Sequence, residues 1–254
     1  MTDEAPAGDV TLRVTGASDG PVTPPAAVLV DKPRGMSSFG VVKRVRWATG
    51  EKRVGHAGTL DPMATGLLVV LVGRAATREQ DRFMGLPKVY TGTVRLGQTT
   101  PSADAETPVE ASADARHVTS NDVAVAAQAF VGEIEQVPPI YAAVKVGGER
   151  LYKKARRGET AETVEIAARR VLVTEFATGA VRPAPGGAVD VDFRVGCSKG
   201  TYVRSLARDL GDALGVGGHL VALRREAIGP FDVREAWDLD AFVVAHRPES
   251  GTDA

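Results

Sequence analysis

Val189-Asp-Val-Asp-Phe-Arg-Val195 alternates apolar and charged side chains with a strict period of two. Successive side chains of a β-strand point to opposite faces, so this pattern predicts a strand with one buried and one solvated face. Such half-buried strands are typical of antiparallel sheets, whereas a parallel sheet covered on both faces needs continuously apolar strands. The segment therefore predicts a sheet that is largely antiparallel.

Other segments add strands and helices to this prediction. Three further stretches are typical of strands, namely Ala27–Val30, Val89–Leu96 and a hairpin over 144–152 that turns at Gly147-Gly148. Three stretches predict helices, capped by Ser37 or Ser38, by Asn121 or Asp122, and by Thr201. Strands mixed with occasional helices, without a regular βαβ rhythm, predict an α+β fold.

The first of these helices has the clearest apolar pattern. Val41, Val42, Val45 and Trp47 recur at helical spacing, so we expect their side chains to face the core. The continuous apolar run Leu67–Val72 predicts a segment that is buried on all sides.

Polar stretches set the expected limits of the fold. Residues 1–27 are rich in Ala, Gly, Pro, Thr and Asp without an apolar period, so we expect a disordered N-terminal extension. The last residues, from 248 onwards, have a similar composition. We expect a folded domain over 28–225, a short acidic segment over 226–254, and a surface loop in the acidic stretch Thr99–Asp114.

The composition is that of an ordinary globular protein. A net charge of −1 excludes a global excess of basic residues, although three basic blocks lie in 31–82, 145–170 and 194–225. The longest apolar run is far shorter than the ~20 residues that cross a bilayer. A secretory signal is also lacking, so we expect a cytosolic protein. One cysteine and four scattered histidines predict neither a disulfide framework nor a metal site.

The glycine-rich stretch Gly55-His-Ala-Gly-Thr-Leu-Asp-Pro-Met-Ala-Thr-Gly66 is the first candidate for chemistry. It holds one acid, Asp61, and one imidazole, His56, among residues that let a ligand approach the backbone closely. Because Pro62 follows the acid, Asp61 has two interpretations. It caps a helix that begins at the proline, or it is a catalytic carboxylate.

Gly196-Cys-Ser-Lys-Gly200 matches the G-x-S-x-G nucleophile elbow of serine hydrolases, with Ser198 as the nucleophile. That elbow follows a buried parallel strand, whereas the preceding segment here alternates with charged residues, which argues against a hydrolase. Arg204 and Arg208 lie four apart on the helix that follows. Such arginines pair with a buried carboxylate or a phosphate, or form a surface pair.

Four motifs occur in one order along the chain. They are Val28-Leu-Val-Asp-Lys-Pro-Arg-Gly-Met-Ser-Ser38, the 55–66 stretch, Lys88-Val-Tyr90 with Arg95-Leu-Gly-Gln98, and Cys197-Ser-Lys-Gly-Thr-Tyr-Val-Arg204. Together they resemble the bacterial tRNA pseudouridine-55 synthases of TruB type over about 28–225. The resemblance implies the pseudouridine-synthase catalytic fold, a mixed and largely antiparallel sheet with flanking helices and a central RNA-binding cleft. It also implies an isomerase that acts on a flipped-out uridine in the T-loop of tRNA, without metal or cofactor.

The same resemblance implies roles for single residues. Asp61 matches the catalytic aspartate, Tyr90 the active-site tyrosine, and Arg204 the arginine that pairs with the aspartate. His56 matches a histidine that contacts the RNA loop, and Lys32 a lysine that supports the site and contacts RNA. These residue types suit the chemistry, because an arginine favours the ionised carboxylate and an aromatic ring recovers stacking for an everted base.

The basic blocks then gain a use as sites for the phosphates of a tRNA arm. The candidate contacts are Lys43, Arg44, Lys153, Lys154, Arg156 and Arg157. We expect RNA binding that weakens with salt, and no obligatory protein partner.

Two departures from the family pattern accompany the resemblance. Many relatives have Thr-Asp-Thr after the Leu-Gly-Gln strand, whereas this chain has Thr99-Thr-Pro-Ser-Ala-Asp104. Only the short acidic segment 226–254 stands where several relatives carry an RNA-binding module of PUA type, so we expect no full module. The alternative functions are an RNA-binding or tRNA-folding module without important catalysis, and an RNA-guided relative that needs protein partners.

Overall fold

The structure, a computed structural model, describes residues 12–142, 144–160 and 163–247. Its strands are β1 (Arg13–Thr15), β2 (Ala26–Lys32), β3 (Val54–Ala57), β4 (Thr65–Val72), β5 (Lys88–Leu96), β6 (Gln98–Thr99), β7 (Ala111–Ser112), β8 (Gly132–Gln136), β9 (Lys145–Val146), β10 (Glu149–Arg150), β11 (Arg169–Pro183), β12 (Val189–Cys197), β13 (Gly218–Ile228), β14 (Phe231–Asp232) and β15 (Trp237–Asp238). Its helices are α1 (Ser38–Thr49), α2 (Arg74–Arg78), α3 (Gln80–Met84), α4 (Ser120–Gln128), α5 (Leu151–Arg156), α6 (Val203–Ala213) and α7 (Leu239–His246). The described residues form two compact units, a first unit of 12–86 with 227–247 and a second unit of 87–226.

The first unit is built around β4. This strand pairs antiparallel with both β2 and β3, and β1 and β15 pair in parallel with successive parts of β2. The strands are continuously apolar over 26–30 in β2 and 67–72 in β4, because both of their faces are covered there. Val28 and Val70 belong to a cluster with α1 and α7, whereas Leu29 and Val69 belong to a cluster with α2 and α3. The burial predicted for 67–72 is confirmed.

The helix α1 begins where the sequence predicts. Ser37 is its N-cap, and the Ser37 hydroxyl accepts a hydrogen bond from the Gly40 N–H. Three of the four residues expected in the core are buried, but the Trp47 side chain is 55% exposed. Two residues correspond to a rotation of about 200° on a helix, so Trp47 lies opposite the face that Val45 presents to the core. The prediction for Trp47 was therefore wrong.

The second unit holds the strands that the opening pattern predicted. Strand β12 pairs antiparallel with β5 on one side and with β11 on the other, and β8 extends the sheet beyond β11. Val189, Val191, Phe193 and Val195 are buried, while the charged residues between them are partly or fully exposed. The largely antiparallel sheet and the α+β class are thus confirmed.

The predicted hairpin is present but shorter than expected. Strands β9 and β10 pair antiparallel about Gly147-Gly148, whose positive φ angles suit the turn. Leu151 and Tyr152, expected in its second strand, instead begin α5. Leu151 is fully buried in a small cluster with Ile140 and Ala142, and this burial favours the helix.

The caps of two helices differ from the predictions. Thr119 caps α4 and forms a reciprocal capping box with Asp122, so Asp122 lies inside the first turn. Helix α6 follows Tyr202, and the Thr201 hydroxyl donates to the Ser198 carbonyl instead of capping the helix.

The acidic stretch Thr99–Asp114 is only partly a surface loop. Its first half is folded inward, since Thr100, Ser102 and Asp104 are buried, and its second half contains β7, which pairs with β6. The segment that the sequence marks as polar therefore contributes to the interior of the second unit.

The expectation of disorder was wrong for residues 12–27. Leu12 is buried, and β1 pairs with β2. Residues 1–11 and 248–254 lie outside the described residues. The described part of the acidic C-terminal segment, 226–247, is folded. Its helix α7 places Leu239 and Phe242 in the core of the first unit. Among the helices described between residues 12 and 247, none is long and apolar enough to cross a bilayer.

Candidate active site and RNA-contacting residues

Asp61 stands in a tight turn immediately before β4. The Ala64 N–H donates to the Asp61 carbonyl at 3.0 Å, and the chain enters the strand at Thr65. No helix begins at Pro62, so the interpretation of Asp61 as a helix cap was wrong. Its side chain is partly exposed at the start of a buried strand.

The backbone on both sides of Asp61 is held by the first motif. The Ser38 hydroxyl accepts from the Leu60 N–H at 2.8 Å and donates to the Leu60 carbonyl at 3.0 Å. The Pro62 carbonyl accepts from the Gly35 N–H at 2.7 Å and from the Lys32 ammonium at 3.3 Å. The peptide groups next to Asp61 are therefore fixed by hydrogen bonds from outside the turn.

Lys32 is fully buried within the first unit. Its ammonium also donates to the carbonyls of Pro33 and Met36, at 2.9 and 2.7 Å. An ammonium enclosed in this way does not reach a surface phosphate, so the expected direct RNA contact is corrected to a supporting role. Lys32 joins the loop after β2 to the loop that carries Asp61.

His56 lies on β3, partly exposed, five residues before Asp61. The His56 carbonyl accepts from the Gln80 side-chain amide at 2.9 Å, which connects β3 to α3. The predicted contact of its ring with the RNA loop stays a prediction.

Tyr90 lies on β5 and is largely buried. It shares one face of the strand with Lys88, which pairs in register with Cys197 of β12. Burial, together with the positive charge of Arg225, lowers the pKa of Lys88 to about 8. Sequence reasoning assigned no role to Lys88, and only its motif position next to the tyrosine marked it.

Arg204 lies in the first turn of α6 and is 5% exposed. Its guanidinium donates to the carbonyls of Ser102 and Tyr141, at 3.0 and 3.1 Å. The Asp104 carboxylate is 3.6 Å from the same guanidinium. Arg204 is thus held by two carbonyls and a carboxylate of the second unit.

Asp104 is the functional candidate that sequence reasoning missed. It is 1% exposed, and its carboxylate accepts from the Ser102 hydroxyl and from the Glu106 N–H. These two hydrogen bonds fix the position of the carboxylate beside Arg204. The divergent segment with Pro101 therefore still supplies the guanidinium with acceptors.

Asp61 belongs to the first unit, whereas Tyr90 and Arg204 belong to the second. Within the second unit, Asp104 is the carboxylate beside Arg204. The pairing of Arg204 with Asp61 stays a prediction.

The hydrolase interpretation of Ser198 was wrong. The preceding strand, β12, is antiparallel to both of its neighbours and not part of a parallel sheet. The Ser198 hydroxyl accepts from the Leu172 N–H at 2.9 Å, and the Ser198 N–H donates to the Leu172 carbonyl at 2.8 Å. Ser198 therefore extends the pairing of β12 with β11 by two further hydrogen bonds.

The six basic candidates for phosphate contact differ in how far their charges are neutralised. Arg44 forms an ion pair with Asp240, and Lys43 lies over the Phe39 ring. Lys154 and Arg157 pair with nearby glutamates on the segment 149–159. Lys153 and Arg156 are exposed, and the Arg156 guanidinium stacks on the Tyr152 ring. The contacts of all six with RNA stay predictions.

Comparison with known proteins places the chain in a family. Residues 46–203 match the family model described as TruB family pseudouridylate synthase (N terminal domain), and residues 204–251 match the tRNA pseudouridylate synthase B C-terminal domain. A protein of Mycolicibacterium paratuberculosis named tRNA pseudouridine synthase B is 51% identical over 226 residues, which cover 89% of this chain and 75% of that protein. One of the same name from Thermobifida fusca is 54% identical over 216 residues, covering 84% of this chain and 72% of that protein.

Solved structures agree with this placement. The crystal structure of the archaeal box H/ACA sRNP Nop10-Cbf5 complex contains a chain that is 26% identical, with a TM-score of 0.59 over 86% of this chain. A chain of a Cbf5-Nop10-Gar1 complex is 30% identical, with a TM-score of 0.57 over 81% of this chain. The present chain spans about half the length of both, 52% and 49%. The ordered motifs, the largely antiparallel sheet and these matches together establish that the chain belongs to the TruB family of pseudouridylate synthases.

Proposed function

We propose that this chain is a tRNA pseudouridine synthase that converts uridine 55 in the T-loop, with Asp61 as its catalytic carboxylate. The names of relatives at about half identity support tRNA as the substrate. The order of the motifs supports the T-loop uridine. The reaction is an isomerisation in which the N1–C1′ bond breaks, the uracil rotates, C5 joins C1′, the C5 proton leaves and N1 takes up a proton.

The observation that carries this proposal is the rigid support of Asp61. Leu60 and Pro62 are both held by hydrogen bonds from the first motif. The backbone of Asp61, which lies between them, therefore has little freedom to move. Such preorganisation lowers the activation free energy, because the entropic cost of ordering the catalytic group is met during folding and not during the reaction. A surface aspartate without a function needs no such support.

The three proposed catalytic side chains have complementary tasks. Asp61 acts as an ionised carboxylate, whether it attacks C1′, adds to the base or removes a ribose proton. Arg204 favours that ionised form through its positive charge. Tyr90 gives the everted base a stacking surface worth ~1–3 kcal/mol, and we propose its hydroxyl as the base that accepts the C5 proton.

Replacement of Asp61 by Asn tests the assignment directly. The variant keeps the size of the side chain but loses its charge, so release of tritium from C5-labelled uridine in a tRNA transcript should fall at least about a thousandfold. Binding of the same transcript should change little. Undiminished tritium release would remove Asp61 from its role.

A second experiment tests the substrate and the need for partners. We expect full activity on a naked tRNA transcript, with pseudouridine found at position 55 and lost when that uridine is changed to cytidine. Activity that requires a guide RNA or added proteins would favour the RNA-guided alternative. Binding and refolding of tRNA without any tritium release would favour the tRNA-folding alternative.

A further inference from the structure

The start of α6 is held by a buried side chain that no functional motif contains. Gln136, the last residue of β8, is fully buried. Its Oε1 accepts from the Tyr202 N–H at 2.7 Å, and its Nε2 donates to the Tyr202 carbonyl at 3.1 Å. Both backbone groups of Tyr202 are therefore bound by one amide, as a neighbouring strand would bind them.

Tyr202 is the residue from which α6 begins, and Arg204 follows two residues later. Helices usually start with a Ser, Thr, Asp or Asn whose side chain accepts a hydrogen bond from the first turn. A tyrosine does not supply that acceptor. In this chain the position of the first turn is instead set from outside, by Gln136.

The residues next to Gln136 reinforce this attachment. The Val137 carbonyl accepts from the Ser205 hydroxyl at 2.8 Å and from the Arg208 guanidinium at 3.1 Å. The segment 136–141 ends at the Tyr141 carbonyl, one of the acceptors of Arg204. One continuous segment thus binds both the backbone before Arg204 and the Arg204 side chain itself.

The chemistry of the amide indicates a positional role. Burial of a side-chain amide is costly unless all its hydrogen bonds are made, and a leucine of similar size would fill the same space without that cost. What the amide adds is a fixed position for the backbone of Tyr202. A guanidinium with two hydrogen bonds, to Ser102 and Tyr141, and an ion pair with Asp104 depends on such a position, since small shifts of the helix start misalign all three contacts.

We propose that Gln136 is a positioning residue of the isomerisation, which acts by fixing the start of α6 so that the guanidinium of Arg204 is correctly placed. The inference rests on the proposed function, because it requires Arg204 to serve the reaction. Gln136 is remote in sequence from the four motifs and does not itself act on the substrate. Its loss should lower the rate of isomerisation and leave the affinity for tRNA unchanged.

Replacement of Gln136 by Glu tests the proposal with almost no change of shape. A protonated carboxyl still donates to the Tyr202 carbonyl, whereas a carboxylate does not and repels it. Gln136 is fully buried, and burial raises the pKa of a carboxyl. The single-turnover rate of the variant, relative to the parent, should therefore decline by at least tenfold as the pH rises from about 5.5 to 9 and the carboxyl ionises. The dissociation constant for tRNA should stay within twofold across that range. A ratio of rates that does not change with pH would overturn the proposal.

The variant Val191→Ala is the control for a general loss of stability. Val191 is buried in β12 of the same unit and has no place in the proposed site. Its free energy of unfolding should fall at least as far as that of Gln136→Glu, with its single-turnover rate within twofold of the parent. Equal losses of rate in the two variants would show that Gln136 has only a structural role.

A double-mutant cycle with Arg204→Lys tests whether Gln136 acts through Arg204. In the Arg204→Lys background, the change at Gln136 should slow the reaction by less than twofold, because the group it positions is already lost. Independent, multiplicative losses would overturn the proposal. If Arg204→Lys keeps the parent's rate, the role of Arg204 in the proposed function fails. If Arg204→Lys is slow while Gln136→Glu keeps the parent's rate at every pH, only the role of Gln136 fails.

Discussion

At the scale of single residues, Arg204 shows how a buried charge depends on its acceptors. Its guanidinium has the carbonyls of Ser102 and Tyr141 and the carboxylate of Asp104 within reach. When one partner of a buried ion pair is removed, the remaining charge is left without compensation, which commonly costs about 3–5 kcal/mol. The carboxylate of Asp104 is therefore expected to matter for activity as well as for stability.

Replacement of Asp104 by Asn should reduce the single-turnover rate at least about tenfold, the factor that corresponds to a loss of about 1.4 kcal/mol in the transition state. The affinity for tRNA should stay within twofold, since Asp104 is buried. The matched control is Asp114→Asn, which breaks an exposed pair with Arg116 farther along the same stretch. Its rate should equal that of the parent, and an equal loss in both variants would contradict the role of Asp104.

Lys88 gives a prediction for the dependence of stability on pH. Its pKa is about 8 in the folded protein against 10.5 in the unfolded chain. Below pH 8 both states are protonated, and the folded state carries the cost of the buried charge. Between pH 8 and 10.5 the unfolded chain binds more protons, so the contribution of Lys88 to stability rises with pH.

The variant Lys88→Met should therefore be more stable than the parent at pH 7, by up to about 3 kcal/mol. The difference should shrink as the pH rises from 8 to 10.5, and urea unfolding at several pH values measures it. Because the positive charge of Lys88 also lowers the pKa of Cys197, both proteins are compared in a Cys197→Ala background. A difference that stays constant across this range would contradict the lowered pKa of Lys88.

The sequence located some of these residues and missed others for a physical reason. Asp61 was found because its glycine-rich surroundings and its motif are local in sequence. Asp104 and Gln136 contact residues about a hundred and about seventy positions away, and such pairs are not visible in a local pattern. Asp104 also lies in a stretch whose acidic composition is typical of a surface loop.

At the scale of elements, α5 carries one lysine that is paired with a carboxylate and one that is exposed to solvent. Lys154 is paired with Glu159, whereas Lys153 is exposed on the same short helix. A lysine already paired with a carboxylate releases fewer counterions from RNA than an unpaired one does. Substitutions of Lys153 and Lys154 can therefore be compared directly for their effect on RNA binding.

Replacement of Lys153 by Ala should weaken tRNA binding several-fold and reduce the slope of log Kd against log salt by about 1. Lys154→Ala should have a smaller effect on both quantities. Filter binding at a series of salt concentrations measures the two slopes. Equal slopes in the parent and in Lys153→Ala would show that this lysine does not contact a phosphate.

The elements themselves were predicted best where the hydrophobic pattern is strict. Strand β12 and the start of α1 appear where alternation and a serine cap place them. Trp47 was misplaced because its apolar character was given more weight than its angle on the helix. The cap of α4 was predicted two or three residues too late, because Thr119, Asn121 and Asp122 are all residue types that suit a helix start. Only the folded chain distinguishes them.

At the scale of the whole molecule, both ends of the chain build the first unit. The cluster on one face of β2 and β4 is completed by Leu239 and Phe242 of α7, far along the chain. The sequence predicted a domain that ends near residue 225, because the negative charge of the segment that follows gives no local sign that this segment returns to the core. Contacts between distant parts of the chain are the information that the sequence pattern lacks.

Replacement of Phe242 by Ala should lower the free energy of unfolding by about 3–5 kcal/mol, the usual cost of removing a buried aromatic side chain. The matched control is Val244→Ala on the same helix, where the side chain is 77% exposed. That variant should unfold at the urea concentration of the parent. If both variants behave like the parent, α7 does not contribute to the core.

The return of α7 to the first unit also bears on the order in which a ribosome delivers this protein. Residues 87–226 form one uninterrupted stretch, so everything needed for the second unit has been synthesised before α7 is translated. The first unit, although it begins earlier, stays without Phe242 until α7 has also left the exit tunnel. A nascent chain that has released residue 226 from the exit tunnel, but not yet α7, would therefore display Arg204 on a complete second unit while the core of the first unit still lacked Phe242.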